Sequence, residues 1–403
     1  MKISYGVKAL LLLTFFASLL SFVKFDHCYN KNWATPDVYT HACYSDISSL
    51  YGARDLINHT WPYSSATNAV EYPPLTGVVM WATSLISGHS YHQYFLVNLF
   101  LIALLFCATA LIVARINPEY WYLYPLIPAV IASLYINWDM WAVVTMLASI
   151  YYFDKGRYRS SSILLGISVA TKFFPLVLLA PIVMIFLKRH EIRRALTYVA
   201  SVLAVAVAIN LPFAITTPHG WWRFFALNGS RGVDFGSVWY ALQLLGVNIS
   251  AANLLSLLLF LVALTIFMYF LWRVRTVPTL AQVAFIAVAI FVSASKVYSP
   301  QYVLWLAPLG VIALRDKRLR SAFWIWQGLE LAYHLAIWEY LASYTGARFG
   351  LPATPYAIAT LLRIAGVGYF AARIGTGLWT PENGRNWTDL WEPSTSPDLH
   401  SDR

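Results

Sequence analysis

The sequence predicts an all-α polytopic membrane protein, and three observations predict it. Apolar runs close to membrane-spanning length recur from one end of the 403-residue chain to the other. Only 11% of the residues are charged, where soluble domains carry about a quarter, and the mean hydropathy is +0.59. The basic residues, which bring the formal net charge to +10, fall in short clusters between the apolar runs. Cytoplasmic loops look like this, and nucleic acid is therefore not expected as a partner.

The apolar stretches are 7–25, 75–87, 92–114, 120–136, 140–153, 160–171, 174–187, 195–214, 251–272, 280–295, 301–314, 321–338 and 355–372. The first has Lys2 before it and Lys8 at its start and lacks a small-x-small cleavage pattern at the usual distance, so it reads as a retained span. Arg115, Lys155/Arg157/Arg159, Lys188/Arg189/Arg193/Arg194, Arg273/Arg275 and Arg315/Lys317/Arg318/Arg320 define a cytoplasmic side. Parity then allows one crossing between residue 26 and Arg115, yet two apolar stretches lie there. The stretch 75–87 makes a helix of about 20 Å, against roughly 30 Å of hydrocarbon. It is expected to lie on the outer surface as an interfacial helix, which leaves about 12 transmembrane helices and both termini cytoplasmic. By the same parity 160–187 goes out and returns, with Lys172 and Pro175 marking a turn in a protein-lined recess. The alternative is one long span with a buried lysine, which puts "KRHEIRR" outside against the charge rule. The whole is a single transmembrane domain, 1–377, followed by a polar tail, 378–403, that reads as disordered.

The first extracytoplasmic loop, 26–74, carries Asp26, Asp37, Asp46, Asp55 and Glu71 against only Lys31 and Arg54. Cys28 and Cys43 lie in it, 15 residues apart, and outside the cell they pair as a disulfide worth roughly 3 kcal/mol. Two unrelated thiols remain the alternative. Later outer turns hold "NWDM" with Asp139, then Lys172, then "GWWRFFALNGSRGVDFGSVWY" with Arg223, Arg231 and Asp234, and finally "SKVYSPQY" with Lys296, Tyr298 and Gln301. Acids in early loops and cations in later turns suit a substrate with a hydroxyl-rich part and a phosphate. Trp221 and Trp222 read first as an interfacial aromatic belt.

Sugar transfer from a polyprenyl phosphate needs one carboxylate within reach of the attacking hydroxyl, and cations for the leaving phosphate. Asp46 follows Ser45, an N-cap candidate, at the start of a short helix that favours the ionised carboxylate. A plain helix-start charge is its alternative reading. Asp55 is explained by Arg54 and solvent. Asp139 either orders the site or caps the next helix. Glu330 and His334, four apart on one span, share a face and are expected to satisfy each other. The sequons at Asn58, Asn228, Asn248 and Asn386 are short enough to arise by chance, and Asn386 is expected in the cytoplasm.

"YSDI", "EYPPLTG", "NWD", "TKFFP" and "SKVYSPQY", in that order and spacing, resemble the polyprenyl-phosphate-sugar-dependent GT-C glycosyltransferases, specifically glycosyltransferase family 87 with its actinobacterial α-mannosyltransferases. The resemblance implies a GT-C-type fold, interfacial helices in the first loop, and Asp46 as catalytic base. It also implies inversion at the anomeric carbon, no nucleotide-sugar donor, no cofactor and no metal. The chain departs from the family in carrying Lys296 and Tyr298 where members bear histidine. The expected function is transfer of a sugar, mannose first among candidates, from a lipid-linked donor to a cell-envelope glycolipid or glycan. The expected site is extracytoplasmic in the plasma membrane, with Glu71, Tyr72, Asp139, Lys172, Arg231, Asp234, Lys296, Tyr298 and Gln301 binding substrate. The rival is a transporter or flippase of lipid-linked sugars, which ought to show internal repeats and a polar path at mid-membrane. No convincing repeat is present.

Overall fold

A long apolar helix opens the fold because nothing in its sequence interrupts it. Helix α1 (Lys2–Asn30) ends where the first loop begins, and Cys28 is joined to Cys43 in a disulfide, with Cα atoms 5.9 Å apart. The computed structural model describes residues 2–379, so Asn386 and the part of the polar tail beyond Trp379 lie outside the described residues. The first loop folds into two short helices, α2 (Asp37–Thr40) and α3 (Asp46–Ala53). Helix α4 (Pro74–Leu85) follows, started by proline at its first turn, where a missing N–H costs nothing.

Helix α4 does not run the length of the molecule. Thr76 near its start donates to the Thr171 carbonyl at 2.6 Å, while Trp81 further along donates to the His59 carbonyl at 3.0 Å. The helix is thereby tied to the end of α8 beside Lys172 and to the first loop. Helix α5 (Tyr91–Ile116), capped by the Ser90 side chain, then makes a full pass. The stretch 120–136 corrects the sequence reading. It is not one span helix but a 3₁₀ turn over Trp121–Leu126 and a single short helix, α6 (Pro128–Ser133). Pro125 and Pro128 each remove a backbone donor and break the run.

Helices α7 (Met140–Asp154) and α8 (Tyr158–Thr171) form a tight antiparallel pair. After Lys172 come a 3₁₀ turn, Phe174–Leu178, and helix α9 (Leu179–Lys188). Phe186 of α9 packs edge-on against Phe153 and Tyr158, at the end where α7 turns into α8. The chain has thus gone out and come back over 158–188, and a single long span is ruled out. Helices α10 (Ile192–Thr216), α11 (Pro218–Ser230), α12 (Val238–Leu244), α13 (Ala252–Arg273), α14 (Leu280–Ala294), α15 (Val303–Ala313), α16 (Leu319–Tyr344) and α17 (Ala353–Leu378) complete the described fold.

The passes leave the molecule with two chemically distinct ends. At one, the Asn117 amide donates to the Val311 and Leu314 carbonyls, Arg189 donates to the Tyr158 hydroxyl, and Arg320 lies over the Tyr120 ring. The basic clusters named above gather there. Asp154 accepts the first N–H groups of α14 at 2.8 and 3.1 Å, supplementing a Thr279–Gln282 capping box. The first loop, Asp139, Lys172 and the 231–237 segment lie at the other end.

Every residue of α15 is buried, and with most of α14 it forms the centre of the core. Helices α10 and α13 are the opposite case: only 11% of each apolar window is buried in the protein, so their apolar faces meet lipid. Among the described residues five helices, α1, α5, α10, α13 and α17, are long and apolar enough to cross a membrane by length and composition. The remaining passes are shorter or broken, apart from α16, whose core-facing side carries Gln327, Glu330 and His334. The protein is a polytopic helical membrane protein.

Glu330 and His334 do not satisfy each other. Glu330 is ion-paired with Arg363 of α17, and the Trp338 indole donates to the His334 Nε2 at 3.0 Å. Both residues are buried, and a guanidinium across the interface is a better partner for a carboxylate than a ring one turn along the same helix.

Candidate functional site

Asp46 owes its position to a stitched corner. The Ser45 hydroxyl accepts from the Ile47 N–H, as a helix cap does, and itself donates to the Tyr135 carbonyl at 2.7 Å. The Asp46 N–H donates to the Ile136 carbonyl at 2.8 Å. The start of α3 is thereby pinned to the 135–139 segment, ninety residues further on in the chain, and the Asp46 side chain turns into a cavity of about 800 Å³.

The Tyr44 hydroxyl donates to Asp46 Oδ1 at 2.8 Å. Burial pushes the Asp46 carboxyl above its ordinary range; the Tyr44 hydrogen bond and nearby Lys172 pull it back, and Asp139 raises it further. A carboxylate with a raised proton affinity is a better base at neutral pH than an exposed one.

Lys172 lines the same cavity, at the C-terminal cap of α8. Its ammonium is ion-paired with Asp139 Oδ1 and lies over the Tyr72 and Trp305 rings, 5.1 and 5.6 Å from their centroids. Asp139 itself is fully buried behind it, with its second carboxylate oxygen lacking a hydrogen-bond partner among the described residues. Of the two sequence readings for Asp139, ordering the site is the one this geometry favours; its side chain makes no cap bond to α7.

The later cations come from the other side of the cavity. Arg231 is ion-paired with Asp234, whose N–H donates to the Lys296 carbonyl at 2.9 Å. The Lys296 ammonium donates to the Arg231 carbonyl at 2.6 Å and to Asn253. Burial and the Arg231 charge both lower the Lys296 proton affinity, as crowding of cations does. Gly236 makes this packing feasible: its φ is +77° and a Cβ there would collide with the Tyr298 carbonyl.

Of the residues singled out from sequence, Asp46, Glu71, Tyr72, Lys172, Arg231, Asp234, Lys296 and Gln301 line the cavity. Tyr298 does not. It is buried beneath the turn, with the Arg363 guanidinium 3.6 Å from its ring centroid and bonded to its carbonyl at 2.7 Å. The reason is the proline at 300, which starts a 3₁₀ turn and aims Gln301 and Tyr302, rather than Tyr298, at the cavity. Arg54 does not serve Asp55; it is ion-paired with Glu71, which also meets Arg223 at 3.4 Å. Asp55 is held by Asn58 and Thr60, whose donors keep its carboxyl below the ordinary range. Trp222 is 57% exposed, as a belt residue is, whereas the Trp221 indole donates to Asn210 at 2.9 Å.

Sequence reasoning missed Tyr44 as a partner of Asp46, although it stands two residues away. It also missed Trp305, stacked between Phe174 at 3.8 Å and Tyr302 at 3.7 Å on the cavity wall. Trp305 sits inside an apolar helix and carries no sequence signal at all.

A model of glycosyltransferase family 87 matches residues 71–295, more than half of the chain. Among curated proteins, GPI mannosyltransferase 1 of Kluyveromyces lactis is 24% identical over an alignment of 222 residues that covers 47% of this chain and 54% of that protein. The match therefore spans about half the length of that relative. Among solved structures, ArnT from Cupriavidus metallidurans bound to undecaprenyl phosphate is similar with a TM-score of 0.48 and 16% identity, over 91% of this chain and 77% of that one. The apo form of the same protein gives 0.45 and 16%, over 83% and 73%.

Proposed function

Since the chain belongs to glycosyltransferase family 87, we propose that it moves a sugar, mannose first among candidates, from a polyprenyl-phosphate donor to a cell-envelope glycolipid or glycan, with Asp46 as general base. One observation carries the reading. A base-like carboxylate shares its cavity with three cations, Lys172, Arg231 and Lys296, brought in from distant parts of the chain.

The chemistry divides accordingly. Asp46 accepts the proton of the acceptor hydroxyl as that oxygen attacks the anomeric carbon, while the bond from that carbon to the phosphate oxygen breaks with inversion. The departing phosphate keeps the bond's electron pair and gains the ammonium and guanidinium groups as counter-charges. Tyr44 holds one carboxylate oxygen, so the other is free to point at the hydroxyl. The basic clusters lie at the opposite end of the molecule from this cavity, and by the charge rule that end is cytoplasmic. The site then opens on the extracytoplasmic side, where a lipid-linked sugar is the available donor class. No cofactor and no metal is assigned to the transfer step itself.

The test is a membrane assay with labelled polyprenyl-phosphomannose. Asp46→Asn is expected to cut transfer by about 10²–10⁴-fold in protein that still inserts and migrates as a single species in detergent. Full retained transfer would remove Asp46 from the mechanism. Mass spectrometry of envelope glycolipids from a strain lacking the protein identifies the acceptor; an unaltered glycolipid and glycan profile would count against the whole reading.

A further inference from the structure

A second group of ionisable side chains stands apart from the cavity, in the first loop beside the disulfide. His27, at the end of α1, precedes Cys28 directly, and His41 lies two residues before Cys43. Asp37, at the start of α2, bridges one nitrogen of each ring. Its Oδ2 meets His27 Nε2 at 2.6 Å and its Oδ1 meets His41 Nδ1 at 3.0 Å. The imidazoles are stacked, with centroids 3.5 Å apart and planes within 10°. Thr40 Oγ1 and the Asp37 carbonyl also lie 3.1 and 3.2 Å from His41 Nδ1.

We propose that His27, Asp37 and His41 form a binding site for a divalent transition-metal ion, zinc the best match, that clasps the first loop. Two imidazoles and one carboxylate are the donor set that borderline metals prefer, and water supplies the fourth position. The ligand atoms all lie within 4.8 Å of one another. Tetrahedral ligand atoms on zinc stand about 3.3 Å apart, so the closest pair needs to open by less than an ångström. The disulfide fixes the chain immediately beside both histidines, so much of the ordering cost of the site is already met before an ion arrives. Side-chain exposures of 33%, 35% and 45% for His27, Asp37 and His41 leave an entry path from solvent.

The clasp has a route to the cavity. Tyr39, between Asp37 and His41, stacks on Tyr44 at 5.6 Å and on Trp338 at 6.3 Å, and Tyr44 holds Asp46. An ion bound at 27/37/41 therefore braces the strap that carries the partner of Asp46. This is a bracing site and not a reacting one.

The proposal is tested on purified full-length protein, stripped with a chelator and titrated with zinc chloride, with magnesium chloride as the control. One equivalent of zinc is expected, with binding weakened by about tenfold or more in His27→Ala and in His41→Ala, unchanged in His219→Asn at the exposed start of α11, and accompanied by proton release. If a ligand variant misfolds, cobalt chloride on the wild-type chain gives the answer: a visible band from low-coordinate cobalt that zinc displaces. Equal zinc affinity in wild type and in both histidine variants would overturn the proposal. So would the absence of both zinc retention and a cobalt band, which leaves the triad as a hydrogen-bonded staple. Neither outcome touches the assignment of Asp46.

Discussion

Two ion pairs in this protein have the same chemistry and different surroundings. Arg363 and Glu330 are 0% and 1% exposed, and the guanidinium is spent in every direction. It lies 3.6 and 4.1 Å from the Tyr298 and Tyr333 ring centroids and donates to the Tyr298 and Ser299 carbonyls. Lys172 and Asp139 are nearly as buried, at 12% and 0%, but here the cation lines the cavity, with Asp139 behind it. An ammonium has three donors, of which Asp139 takes one, whereas each acid, Glu330 and Asp139 alike, keeps one buried oxygen without a hydrogen bond among the described residues. A cation whose donors are spent on its surroundings is a brace; a cation with donors left over that faces a cavity has capacity for a ligand.

The contrast is broken most severely at the brace. Arg363→Met leaves the Glu330 carboxylate buried without its counter-charge, and a loss of about 3–5 kcal/mol of stability is expected. Thermal unfolding in detergent measures it, and adding Glu330→Gln is expected to restore much of the loss. If the single variant unfolds at the wild-type temperature, the pair is not a brace. At the cavity, Lys172→Gln is expected to weaken use of the lipid-phosphate donor by about 1.5–3 kcal/mol, roughly tenfold to a hundredfold, with little change in acceptor dependence. Equal effects on donor and acceptor would argue against a phosphate contact.

The smallest effect sharpens the role of Tyr44. Its hydroxyl favours the ionised form of Asp46, so removing it raises the carboxyl further. A general base works when ionised, and activity falls as pH drops through its pKa. The acidic limb of the pH–rate profile for wild type is therefore expected above the ordinary carboxylate range. Tyr44→Phe moves that limb to still higher pH, with a loss near neutrality of at most about tenfold. A limb that stays in place, or moves down, detaches Tyr44 from the base.

The sequence by itself determined the class of the molecule and named most of the charged residues that line the cavity. Membrane helices announce themselves through local hydropathy, and clusters of arginine mark one end because few charges are tolerated elsewhere. The out-and-return over 160–187, turning at Lys172, followed from parity alone. The tertiary structure decided what each charge is for. Glu330 was four residues from His334 in the chain and took Arg363 instead, while Tyr298 in "SKVYSPQY" turned to the core and Gln301 to the cavity. Trp305 became cavity wall through contacts with Phe174 and Tyr302, one more than a hundred residues away in sequence. The physical reason is range: burial in lipid is a property of a segment and is written in its composition, whereas a pairing partner is chosen by packing between helices that no short stretch encodes.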